Sequence, residues 1–121
     1  MPGARHLLLS VRYDLEVVQE PHGRWAAAIA GYWYAILHAD ERELLAYHWH
    51  PRGVSAIVWP HLHVSAPVAP LDLSRAHLPT GPVSLPAVLR CAIADLGVRP
   101  LRQGWAAVLA DAESAVTRSG E

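Results

Sequence analysis

Between Leu7 and Val17 every second residue is apolar, while Ser10, Arg12, Asp14 and Glu16 fill the places between. Side chains on an extended chain point to opposite faces with period two, whereas a helix would repeat every three to four residues. The pattern therefore predicts a long, half-buried strand from Arg5 to Val18. A strand cannot bury such a face alone, so the chain must build a sheet around it. The turn-forming run Glu20-Pro21-His22-Gly23 ends it. The aromatic and isoleucine-rich stretch Trp25 to His38 reads as a second strand, with Gly31 marking a bulge or a close backbone approach. Past an Asp40-Glu41 turn comes a third strand, Glu43 to His50, closed by Pro51-Arg52-Gly53. A fourth runs from Ala56 to Ser65, with Pro60 indicating an edge or a bulge. A linker, Pro67 to Pro70, leads to a short fifth strand, Leu71 to Leu78.

The chain changes character near residue 80. All eight histidines precede it, and afterwards apolar residues recur at helical spacing. Ser84 is a good N-cap, Pro86 fits a first turn, and Leu85, Val88, Leu89, Ala92, Ile93 and Leu96 form one stripe before Gly97. A second helix, Leu101 to Arg118, carries Trp105, Val108, Leu109, Ala112 and Val116 on one side. These elements predict an α+β fold: an antiparallel meander of four to five strands, then two C-terminal helices packed on one face. At 121 residues the expectation is a single domain, 1–121, with the sheet in 1–78 and the helical layer in 84–118.

Charge narrows the function classes. There is no lysine, so all ten basic residues are arginine, and the net charge is -1 with histidines neutral. A global basic field that would hold nucleic acid non-specifically is thereby excluded. Cys91 is the only cysteine, so no internal disulfide forms, in keeping with a cytoplasmic location. The leucines at 7–9 are too short a run for a secretory leader, and no long uncharged apolar run predicts a membrane span.

Two His-x-His pairs carry the chemistry. In Tyr47-His48-Trp49-His50-Pro51, His48 and His50 share a strand face with Leu44 and Ala46; in Trp59-Pro60-His61-Leu62-His63-Val64-Ser65, His61 and His63 share one with Ser65. Val58, Leu62 and Val64 then face the core, which leaves His61 and His63 on the outer, solvated face. If the two strands are neighbours, four imidazoles converge. Three readings follow. The histidines form a polar sheet face or a protein interface, including a homodimer. They perform metal-free acid–base chemistry, such as phosphodiester cleavage, with Arg52 or Arg75 stabilising charge on phosphate and Ser65 beside them. Or they ligate a divalent metal such as zinc, although no carboxylate or cysteine lies close in sequence. The catalytic candidates are thus His61, His63, His48 and His50, and the substrate-binding candidates Arg52, Ser65 and Arg75, with no cofactor required by the acid–base reading. His77-Leu78-Pro79-Thr80 resembles half of a His-x-x-Thr phosphoesterase signature, but a single loose match beside a Pro-Gly turn reads as loop. Asp40, Glu41, Arg42 and Glu43 read as a hydrated turn.

The stretch Arg42-Glu43-Leu44-Leu45-Ala46-Tyr47-His48-Trp49-His50-Pro51, followed by Trp59-Pro60-His61-Leu62-His63-Val64 and a capped helix from Ser84, resembles the small TumE-like family of toxins from bacterial toxin–antitoxin pairs. The resemblance spans roughly residues 30 to 95 and rests on short motifs. Here the third strand has His-Trp-His-Pro, where the family pattern is closer to Arg-aromatic-Asp followed by Pro-His, so an acidic site residue is unaccounted for. The resemblance implies a cytoplasmic toxin-like protein acting on RNA, as a histidine-dependent ribonuclease, with a DNA-binding antitoxin as partner. It transfers most directly onto His61 and His63.

Overall fold

The structure, a computed structural model, describes residues 6–65, 73 and 75–119, the side chains of 116–119 excepted. Strands β1 (Leu7–Gln19), β2 (Trp25–His38), β3 (Glu43–Trp49), β4 (His61–Val64) and β5 (Leu78–Pro79) pair antiparallel in chain order. Helices α1 (Leu85–Ala94) and α2 (Trp105–Ser119) follow, so the fold is α+β with the expected meander. Two compact units divide the chain, Met1–Gly81 with the sheet and Pro82–Glu121 with the helices.

The main departure lies in β4, which begins at His61 and not at Ala56. Pro60 has no N–H to give a ladder, so pairing starts after it, although its carbonyl accepts from Thr80 N at 3.1 Å. Val58, expected in the core, is outside the strand and 48% exposed. Of the expected fifth strand, Leu78 and Pro79 pair with β4. The Pro67–Pro70 linker, residues 71, 72 and 74, Arg5 and the side chain of Val116 lie outside the described residues.

Register sorts the side chains into two faces. Tyr34 lies opposite Tyr47, which lies opposite Leu62; this face holds the buried Tyr32, Tyr34 and Ile36. Tyr32 stacks on Tyr34 with centroids 4.6 Å apart, and Tyr13 meets Tyr34 edge-on at 5.8 Å. Burial, aided by the neighbouring Tyr13 hydroxyl, raises the Tyr34 pKa far above the ordinary range, so it stays neutral. The opposite face carries the row Arg12, Trp33, His48, His61 across four strands.

Both hairpin loops close alike. Glu20 N donates to Arg24 O and Gly23 N to Glu20 O; His38 N donates to Arg42 O and Glu41 N to His38 O. The residue before the closing position is left-handed in each, Gly23 at φ 90 and Glu41 at φ 69. Glycine adopts that conformation freely, whereas an L side chain is strained by roughly 1 kcal/mol. Glu41→Gly is therefore expected to stabilise the protein by about 1 kcal/mol, read as a higher denaturation midpoint; an unchanged or lower midpoint would contradict this.

In the helical unit, Ser84 Oγ accepts from Ala87 N at 3.3 Å, as an N-cap does. Val88 is buried, and Arg90 on α1 reaches Glu113 on α2 at 2.6 Å. α2 starts at Trp105, later than the expected Leu101. Burial, with the Asp95 carboxylate beside it, pushes the Cys91 thiol up, so it remains protonated. Among the described residues no helix is long and apolar enough to cross a membrane.

Candidate metal centre

Because β3 and β4 are neighbours, the two His-x-His pairs meet. His48 lies directly opposite His61, and His63 opposite Ala46, so His48, His61 and His63 share one face. Small Ala35 and Ala46, opposite each other and both 1% exposed or less, continue that face beside the imidazoles. One ligand-capable nitrogen from each of the three histidines lies within 4.8 Å of the others. A tetrahedral zinc with bonds near 2.0–2.1 Å wants nitrogens about 3.4 Å apart.

Hydrogen bonding distinguishes the ring nitrogens. His61 Nδ1 is 2.8 Å from Trp59 O, and a carbonyl can only accept, so Nδ1 carries the proton and Nε2 keeps its lone pair. This is the orientation that metal-ligating histidines commonly take. His48 Nε2 is buried with no hydrogen-bond partner, an arrangement that costs about 1–3 kcal/mol unless something else binds there. Two further buried polar atoms without partners stand nearby. Trp33 Nε1 belongs to the ring that meets His48 edge-on at 5.4 Å, and Thr80 Oγ1 to the residue bonded to Pro60, next to His61.

Sequence reasoning placed His61 on a solvated face, and this is corrected: His61 is only 4% exposed. The face assignment holds, but β5 flanks β4 with Pro79 opposite His61, and the rings of His48, His63 and His77 crowd around it with centroids 4.8–5.5 Å away. His77 lies in a loop just before β5, as expected, but it joins the cluster, which the sequence did not indicate. Its ring centroid lies 5.1 Å from His61 and 4.7 Å from His63, extending the cluster to five imidazoles with His50, which is 5.3 Å from His48. The two-residue pairing of Leu78-Pro79 holds it there, a strand too short to leave a periodic signal. Glu43 was also missed. Half-buried at the start of β3, it accepts from Ser65 Oγ at 3.2 Å and acts electrostatically on His63. It is the carboxylate that the sequence did not place near the histidines.

The arginines lie farther out. Arg52 donates to Glu16 at 2.8 Å, and both are solvent-exposed enough for the pair to be readily exchanged. Together with Arg12, Asp14 and His50 it lines an open depression of about 380 Å³. Arg75 is exposed on a turn before β5.

Two members of the cluster, His48 and His63, resist protonation. Burial first, then the charges that His63, His50, His61 and His77 would carry, depress the His48 pKa to about 4. Burial and the neighbouring His61 and His77 also lower His63, with Glu43 opposing. Neutral imidazoles are the form that ligates metal. A sign follows for the metal-free protein. His48 binds its proton more weakly folded than unfolded, so its contribution is complete above pH 6.5 and is lost as pH falls towards 4. Taking chelator-treated protein from pH 7 to pH 5 is expected to remove about 1 kcal/mol through this residue, after halving for solvent screening. A His48→Gln variant with the same pH dependence of unfolding would refute the assignment.

No family model, curated protein or solved structure matches this chain.

Proposed function

We propose that the protein is a divalent-metal protein of hydrolytic type, with His48, His61 and His63 as ligands and water completing the coordination. The convergence of three imidazole nitrogens within 4.8 Å, one of them buried and unpartnered, carries this reading. Three protein ligands with an open position are the pattern of catalytic rather than structural zinc sites. A bound divalent ion would lower the pKa of its water towards neutrality and polarise a carbonyl or phosphoryl oxygen. The chain's own groups serve that chemistry. Trp59 O fixes the His61 ring, Glu43 offers a carboxylate at the His63 end to take up a proton, and His77 and His50 flank the three ligands as proton carriers.

A second reading is the toxin-like ribonuclease implied by the TumE-like resemblance, cytoplasmic and paired with a DNA-binding antitoxin. The five-imidazole cluster also supports it, since any two neighbours can divide acid and base work. Within it, the depressed pKa values leave His48 and His63 unprotonated near neutral pH, so neither is the group that delivers the proton.

One titration separates the two. Chelator-treated protein titrated with Co²⁺ is expected to bind one ion per chain and to develop the intense visible absorption of a tetrahedral site. No binding, together with RNA cleavage indifferent to chelator, would replace the metal centre with the histidine-only reading.

A further inference from the structure

β1 is the outermost strand of the sheet, so among the described residues one edge of a 13-residue strand has no neighbour. Such an edge presents unpaired N–H and C=O groups, and proteins ordinarily blunt it with proline, bulges or short length. None of these devices is present. The register shift between Asp14 and Leu15 adds its extra residue, Ala30, to β2, leaving β1 regular throughout. Its apolar side chains are left open to water as well. Val11 is 39% exposed, Leu15 60% and Val17 63%.

We propose that this edge pairs antiparallel with the same edge of a second copy, about a two-fold axis at Tyr13. The strand's own sequence is self-complementary in that register. Arg12 falls opposite the second copy's Asp14, and by symmetry Asp14 opposite its Arg12, while Val11 meets Leu15 and Leu9 meets Val17. Opposite charges and apolar pairs directly across an antiparallel ladder each stabilise it. The neighbouring symmetric registers do the reverse. An axis at Arg12 sets two guanidiniums face to face, and an axis at Asp14 sets two carboxylates.

The hairpin supplies an independent reason. β3 pairs with β2 only from Tyr32 onward, so residues 15–19 and 25–29 pair with each other alone. An isolated two-stranded ribbon is marginal in water. In the self-paired dimer, residues 15–19 gain the second copy's residues 7–11 as a third strand. The same patch serves both copies, as an isologous two-fold interface requires.

Sedimentation equilibrium of the full chain tests the pairing. The wild type is expected at twice its 13.2 kDa mass. Arg12→Asp puts carboxylates opposite one another and is expected to weaken the dimer at least tenfold, whereas Arg12→Asp with Asp14→Arg reverses both charges and restores it. In a Cys91→Ser background, Tyr13→Cys is expected to oxidise to a covalent dimer, because the axis brings position 13 against itself, and Val11→Cys is expected to remain uncrosslinked. The pairing is overturned by a monomeric wild type, by an Arg12→Asp protein that dimerises as the wild type does, by a reciprocal variant that folds by circular dichroism yet stays monomeric, or by equal crosslinking at positions 11 and 13.

Discussion

Replacing His48 with leucine is expected to lower divalent-metal affinity by more than a hundredfold while leaving the metal-free fold as stable as the wild type, or more so. The two halves have one cause. His48 Nε2 is buried without a partner, a cost that the metal-free protein carries and that ligation would relieve. Leucine of similar volume removes the orphaned nitrogen and keeps the packing against Trp33. The affinity loss should exceed the roughly 10–100-fold seen when only a group hydrogen-bonded to a ligand is removed. Calorimetric titration with Zn²⁺ reads the first half and thermal unfolding in chelator the second. Wild-type affinity in the leucine variant would remove His48 from the centre. His50→Leu is the control, because His50 lies outside the set of three and should change affinity little.

Gly31→Ala is expected to destabilise the protein by about 2 kcal/mol, lowering Tm by roughly 6–12 °C. A Cβ at this position would stand 2.8 Å from Trp49 O and 3.2 Å from an Asp14 carboxylate oxygen. The carboxylate can swing away. The carbonyl belongs to the backbone of β3, between His48 and His50, and cannot retreat without moving the strand. Metal affinity is therefore expected to fall along with stability, although position 31 is no ligand. Gly81→Ala, where a Cβ would meet nothing within 4 Å, provides the matched substitution. Equal midpoints for the two variants would show that β3 yields more easily than a packed sheet does.

Period-two alternation and turn residues made the sheet legible. β2 spans the expected Trp25 to His38 because an aromatic strand bounded by Gly23 and Asp40 has little freedom to end elsewhere. Strand adjacency followed from short connections, and with it the meeting of His48 and His61. Burial was less legible. Alternation tells which side of a strand a residue takes, but not what crowds that side, so His61 was expected in solvent and is buried among His48, His63 and His77. His77 and Glu43 were missed for a related reason. Each reaches the cluster through pairing between segments distant in sequence, and neither stands in a motif with its partners.

The register of β4 has a further consequence. This strand has only four residues, so few contacts fix its alignment with β3. A slip by one residue would carry His61 and His63 through the sheet to the aromatic face and bring Leu62 up in their place. The nitrogen set exists in one alignment alone. A cation held by it would add its binding energy to that alignment and to no other, acting as a clamp that selects the correct pairing of a strand too short to choose for itself.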